Sequence, residues 1–267
     1  MTGFPPILID GEPASTDDLT YLALVNYGAY TSFRVEDGAA RGLGRHLQRL
    51  EASAVELFGE SQGEARLRDL MRQAVEGREA CWLRVSLFSP ELWARTPSWR
   101  GVPKVMTMAA EPPPPLAASL RLATRVYSRD AAHLKHTALF GLIQSRRQAR
   151  DGGFDDALFV DEMGLISEGS LWNIGFVKGD LVTWPEAPML SGVTQALIED
   201  GLASVGLRSQ TRPVRLSDLA DFDQAFICNS ATPACAVTAI DDHAFSSDPA
   251  LIKRLEAAWA SNAPEAI

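Results

Sequence analysis

Lysine is scarce in this chain. Lys104, Lys135, Lys178 and Lys253 are the four lysines among 25 lysines and arginines, and acidic residues outnumber basic ones to leave a net charge of -9. That balance excludes the broad positive footprint that nonspecific nucleic-acid binding requires. Cysteine is scarce too. Cys81, Cys228 and Cys235 are odd in number, far apart and set in apolar runs, which points to buried reduced thiols rather than a disulfide framework or a metal cluster. No apolar run approaches the roughly 18 residues of a membrane span. The opening "MTGFPPILIDGEPAS" lacks the basic n-region and apolar core of a secretory signal, so the expectation is a cytoplasmic protein with no membrane partner. The four histidines show no metal-like spacing with cysteines or acids. A G-x-S-x-G elbow, a Walker loop and a G-x-G-x-x-G fingerprint are all missing.

What is present suits a folded chain. At 267 residues with 46% hydrophobic and 22% charged residues, there is enough for one large domain or two modest ones. The clearest break is "EPPPPLAAS", whose four successive prolines hold an extended, semi-rigid backbone. We read residues 1–111 as an N-terminal α+β domain, 112–118 as a linker and 119–267 as a C-terminal α+β domain. In the first, a strand and turn at "ILIDGEP" precede an extended pair around "YGAYTSFRVEDGAA". The helices "GRHLQRLEASAVELFG" and "EARLRDLMRQAVEG" follow, then the strands "CWLRVSLFS" and "KVMTMAAE". In the second, strand "LRLATRVYS" and helix "ALFGLIQSRRQARD" lead into hairpins, the helix "TQALIEDGLASVG", more strands and a last helix "PALIKRLEAAWASN". Hairpins dominate this order, which speaks against a doubly wound parallel sheet.

Five places carry chemistry-bearing residues, and each also has a plain reading. Lys135 sits in a polar knot between a strand and a helix, where loops hold functional groups, and its amine can form a Schiff base; an exposed lysine fits as well. Glu168, in the hairpin "DEMGLISEGSLWNIGFV" with its turn at Met163 and Gly164, needs a cation or a protonated ring nitrogen if it is buried, or else points to solvent. Ser191 could cap the helix opened by Gly192, Val193 and Thr194, leaving a start suited to a phosphate; a simple capped helix asks for the same residues. Arg45 and Arg49 lie one turn apart, so one could face inward to hold a phosphate, while Ser230 and Thr232 in "ICNSATPACAV" fit either an anion site or a turn.

Read in order, an Arg in "HLQRL", a Lys before a long helix, a Glu in G-x-I-S-E-G-x-x-x-N and "SGVT" at a helix start resemble the fold type IV pyridoxal-phosphate enzymes, the class IV aminotransferase family. The resemblance runs from "ILIDGEP" to "CNSATP" and is most specific from Lys135 to Thr194. It implies an α+β, two-domain architecture like that of D-amino-acid aminotransferase, with pyridoxal 5'-phosphate as cofactor and a homodimer. On the same grounds Lys135 is the Schiff-base lysine, and Glu168 is the carboxylate that keeps the pyridine nitrogen protonated. Arg49, Val193, Thr194 and Ser230 form the phosphate cup, and Asn173 is structural. The chain departs from the family pattern where branched-chain members carry a tyrosine five residues after the lysine and this chain has Phe140. It departs again where "G-I-T-R" reads with Gln195 and where "T-P" reads "TWP" from Thr183 to Pro185.

The resemblance implies amino-group transfer between an amino acid or amine and a 2-keto acid. The alternative is a lyase elimination giving 4-aminobenzoate and pyruvate. The departures, with the short chain, pull away from branched-chain aminotransferases and toward the lyase or an unassigned aminotransferase branch. A non-catalytic module on the same fold is a third reading, against which Lys135 and Glu168 count. Arg84, Arg95 and Arg100 are candidates to grip a substrate carboxylate, although the stretch "WARTPSWRG" would serve equally as surface. Tyr27 and Tyr30 match the family's pocket-lining strand, or belong to the core.

Overall fold

The structure is a computed structural model that describes residues 5–114 and 116–267; Pro115 of the proline run lies outside the described residues. The chain divides into two compact units.

The first unit takes the described residues of Met1–Pro113 together with Leu134–Ala138 and Pro264–Ile267. Its elements are β1 Ile7–Ile9, β2 Glu12–Pro13, α1 Thr16–Leu24, β3 Ala29–Glu36, β4 Ala39–Arg41, α2 Leu43–Phe58, α3 Glu64–Val75, β5 Ala80–Phe88 and β6 Lys104–Ala110. A C-terminal strand, Pro264–Ala266, adds the edge of a seven-stranded sheet in which β4, β3, β5, β6, β1 and β2 follow it in that order. Every neighbouring pair is antiparallel. Asp37 and Gly38 turn β3 into β4 with φ of 51° and 70°, the left-handed pair that a tight hairpin needs. Along α2, Leu43, Leu47, Leu50, Ala54 and Phe58 recur at helical spacing and are fully buried against Phe33, Val35, Leu83 and Val85 of the sheet. Each such leucine contributes roughly 1.5–3 kcal/mol relative to exposure.

Helix α1 is absent from the hydrophobic pattern because only Tyr21 of its apolar residues is buried. Its signal is polar: Ser15 accepts from the Asp18 amide at 3.1 Å and donates to the Asp18 carboxylate at 2.7 Å, a cap that the sequence "STDD" spells out.

The second unit takes Pro114–His133 and Leu139–Ala263. It runs β7 Ser119–Val126, α4 Phe140–Asp151, β8 Asp156–Val160, β9 Ile166–Gly169, β10 Asn173–Lys178, β11 Leu181–Pro185, α5 Val193–Gly201, β12 Arg208–Arg212, β13 Gln224–Asn229, β14 Thr232–Ile240, β15 His243–Ala244 and α6 Pro249–Ala260. Its sheet has the order β12-β11-β10-β13-β14-β7-β8-β9, with β15 on β14. The pairs β11/β12, β14/β7 and β7/β8 are parallel. Helices α5 and α6 bury Ile198 and Leu255 with Val182, Trp184 and Phe226. A Cβ on Gly201 would stand 2.0 Å from the Ala258 carbonyl oxygen, so glycine permits that close crossing.

The sequence expectation placed all of 119–267 in one domain. Leu134–Ala138 and Pro264–Ile267 belong instead with the first unit, because backbone hydrogen bonds, which residue identity hardly encodes, tie both to its strands. All three cysteines are buried and free. Among the described residues no helix is long and apolar enough to cross a membrane.

Candidate active site

In the first unit, the segment carrying Lys135 extends the start of β3. Tyr30 donates its amide to the Lys135 carbonyl at 2.9 Å, and Thr137 donates its own to Gly28 at 2.9 Å. His136 pairs with Ala29 between them, and the Thr137 hydroxyl donates to the Asn26 carbonyl at 2.6 Å. A side chain at Gly28 would meet the Leu87 carbonyl oxygen at 2.3 Å, so glycine is required where the strands approach. The result is a lysine whose backbone is fixed on both sides, with its Nζ 5.0 Å from the Tyr30 ring centre. The Arg84 guanidinium lies 3.8 Å from the same ring and donates from Nε to Ser86 at 3.1 Å. Burial pulls the Arg84 pKa down from its ordinary value, with Tyr30 acting the other way; an arginine stays charged at neutral pH all the same.

The sequence suggested two arginines on α2. Arg45 is exposed, and Arg49 is half-buried at the edge of the helix's apolar stripe. Beside Arg49, His46 is almost wholly buried. It shares a 2.6 Å hydrogen bond with the Thr31 hydroxyl through Nδ1 and stacks on Phe33 with ring centres 4.4 Å apart. Burial holds its pKa well below the ordinary 6.5, and Arg49 and Lys135 push the same way. The native imidazole therefore stays neutral while the unfolded one takes up a proton below about 6.5, so stability is lost as pH falls through that value. The slope contributed is at most about 1.4 kcal/mol per pH unit. We expect the urea midpoint to drop between pH 6.5 and 5, and His46→Gln to remove part of that drop; identical slopes in both proteins would disprove the assignment.

Tyr27 is exposed and meets Phe58 edge-on at 6.0 Å. Arg95 is exposed in the loop after β5, and Arg100 donates to its neighbour's carbonyl, Trp99, at 2.8 Å. Of the five substrate-binding candidates, Tyr30 lies beside Lys135 and Arg84 packs on the same Tyr30 ring. Tyr27 and Arg100 engage Phe58 and Trp99 instead.

In the second unit, Glu168 is buried on β9. Its carboxylate faces Arg129 Nη1 at 3.5 Å, the two side chains being 6% and 5% exposed. Arg129 escaped the sequence reading; its signal is an arginine in "YSRD" six positions before Lys135. Burial raises the pKa of nearby Tyr127 against a lowering pull from Arg129, and Asp130 and Glu168 raise it further.

Val193 and Thr194 open α5 and are buried. Ser191 is not the cap: Gly192 holds that position with extended backbone, and no side chain caps the helix. Glycine is required at that position. A Cβ on Gly192 would lie 2.0 Å from Asn173 Oδ1, while Asn173 Nδ2 donates to the Leu190 carbonyl at 2.9 Å. Asn173 thereby sets the approach to a helix start whose amides suit an anion. Ser230 is half-buried in the β13–β14 turn, where Asn229 Oδ1 accepts from the amides of Ala231 and Thr232 at 2.9 and 2.8 Å. Among the described residues no cluster of His, Cys, Asp and Glu could hold a metal.

A mixed helix-and-sheet fold with these residues defines a class. The family model for class IV amino-transferases matches residues 28–240, and the chain belongs to that family. It is similar to a Rickettsia bellii protein named "probable branched-chain-amino-acid aminotransferase", 32% identical over 117 residues, 43% of this chain and 39% of that protein. The chain thus spans about two-fifths of the length of that relative. A Methanocaldococcus jannaschii relative named for the same activity is 24% identical over 255 residues, 87% of this chain and 85% of its own. The solved structure of a branched-chain aminotransferase from the archaeon Thermoproteus uzoniensis, with norvaline, shares the fold at a TM-score of 0.82, with 20% identity, covering 96% of this chain and 94% of that one. Another solved branched-chain amino acid aminotransferase, holding pyridoxamine 5'-phosphate, matches at a TM-score of 0.83 with 19% identity, covering 97% of this chain and 94% of that one.

Proposed function

We propose that the chain is a pyridoxal 5'-phosphate-dependent aminotransferase that moves an amino group between an amino acid or amine and a 2-keto acid. The observation that carries the reading is Lys135, fixed on both sides of its backbone against β3 with its amine by Tyr30.

The residues present fit that cofactor. A buried carboxylate backed by a buried guanidinium suits a protonated ring nitrogen, and a helix start opened by a glycine N-cap suits a phosphate. Lys135 would hold the cofactor, Glu168 its ring nitrogen, and Arg49, Val193, Thr194 and Ser230 its phosphate. When bound, it supplies an electron sink for a carbanion at the substrate Cα. Lys135 Nζ would then take the Cα proton as general base and return it. Arg84, desolvated and steadied by Ser86 and Tyr30, would pair with the substrate carboxylate.

The test is a donor panel. Branched-chain amino acids go first, on the strength of the relatives' names, followed by other L- and D-amino acids and amines, added to the holoprotein without any keto acid. Conversion of the bound cofactor to its amine form by at least one donor is expected. Stoichiometric pyruvate from aminodeoxychorismate with no donor converting it would establish the lyase reading instead.

A cytoplasmic homodimer belongs to the same proposal. Three free buried thiols suit a reducing compartment. Phe140 and Ile143, 80% and 62% exposed one turn apart on α4, offer an apolar face, and two-fold dimers are the commonest assemblies. Sedimentation of a fully active monomer would contradict it.

A further inference from the structure

The geometry points to Asp156 as the positioning residue that fixes the direction of Glu168, an inference resting on the cofactor reading above. Asp156 opens β8 and is 2% exposed. Its Oδ1 accepts from the Ser170 hydroxyl at 2.6 Å and from the Ala157 amide at 2.8 Å. Its Oδ2 accepts from Trp172 Nε1 at 3.1 Å and faces Arg146 Nε of α4 at 3.3 Å. A buried carboxylate is tolerated only when satisfied in this way. Two of these donors, Ser170 and Trp172, lie in the short connection that directly follows Glu168.

That connection has no slack. Gly169 donates its amide to the Trp172 carbonyl at 2.9 Å, and a Cβ on Gly169 would stand 2.2 Å from the Trp172 indole. The indole therefore lies on the glycine next to Glu168. The β8–β9 ladder itself leaves Glu168 underdetermined: Leu158 pairs with Gly169 and Val160 with Ile166, so two steps on β8 face three on β9. An extra residue of this kind re-aims a side chain. With the ladder slipped between Ile166 and Gly169, the clamp of Asp156 on Ser170 and Trp172 holds the residues just past the bulge, while Arg129 meets the Glu168 carboxylate.

The experiment uses protein reconstituted with pyridoxal phosphate labelled with 15N in the ring, so that the ring-nitrogen resonance reports its protonation directly. Asp156→Asn keeps the shape but turns an NH2 toward the Trp172 and Arg146 donors. We expect about a tenfold fall in kcat with donor KM changed less than about twofold, and a resonance moved toward the unprotonated position. In a Glu168→Gln background the same change should cost nothing more, since coupled residues are non-additive. Equal losses in both backgrounds, or an unaltered resonance in Asp156→Asn, overturn the inference. Should Asp156→Asn fail to fold, Trp172→Phe removes one donor, keeps a ring on Gly169 and is judged by the same two readouts. Glu168→Gln with full turnover would overturn this inference while leaving the cofactor reading on Lys135 in place, and an impaired Glu168→Gln with an unimpaired Asp156→Asn overturns the positioning role alone. A parent protein that takes up no labelled cofactor would overturn the cofactor reading itself.

Discussion

Lys135→Ala is expected to fold, to lose turnover by on the order of a thousandfold or more, and to take no label when borohydride is used to fix pyridoxal phosphate onto the protein. Folding should survive because these bonds, which hold the segment, do not use the residue 135 side chain: Tyr30 donates to the residue 135 carbonyl and Thr137 to Gly28, and the Thr137 hydroxyl donates to Asn26. The truncation removes, among other things, the amine above the Tyr30 ring, an interaction worth roughly 0.5–1 kcal/mol at a partly exposed site. Stability and activity should therefore separate. In the parent protein, peptide mapping should find the label on the peptide containing Lys135, and Lys178→Ala, a change at the last residue of β10, should leave labelling intact. A label on another lysine, or near-normal turnover in Lys135→Ala, would remove the central residue of the proposal.

Lys135 stands out in the sequence because lysine is rare, and α2 because its leucines repeat at helical spacing; both signals are local. What the sequence hid depends on groups that meet only after folding. Leu134–Ala138 join the first unit mainly through main-chain bonds, which residue type hardly announces, with the Thr137 hydroxyl adding one bond to Asn26. Arg129 meets Glu168 at a place where the ladder slips by a residue, and period-two reasoning assumes that no such slip occurs. Ser191 fits the cap by residue type, but Gly192 holds that position, and Asn173 of β10 fills the space that a side chain there would need. The clamp formed by Asp156 with Ser170 and Trp172 was invisible for the same reason: three ordinary residues acquire a joint role only through their distances.

Glu168→Gln should fold with reduced stability and lose on the order of a hundredfold or more in turnover. The substitution preserves shape and removes charge. Arg129, whose side chain is 5% exposed and 3.5 Å from the carboxylate, would keep its charge in a buried setting with a neutral amide where its anion had been, and breaking a buried pair in this way costs several kcal/mol at the upper end. That penalty concerns folding and is read from a urea midpoint. The catalytic loss has a different origin: an amide cannot hold a ring nitrogen protonated, so the developing carbanion is no longer delocalised. The two effects are separated by measuring turnover on protein that remains folded and loaded with cofactor. A variant that is less stable but turns over normally would reduce Glu168 to a structural partner of Arg129. A variant that binds cofactor at Lys135 and fails at the proton-transfer step would confirm its role at the ring.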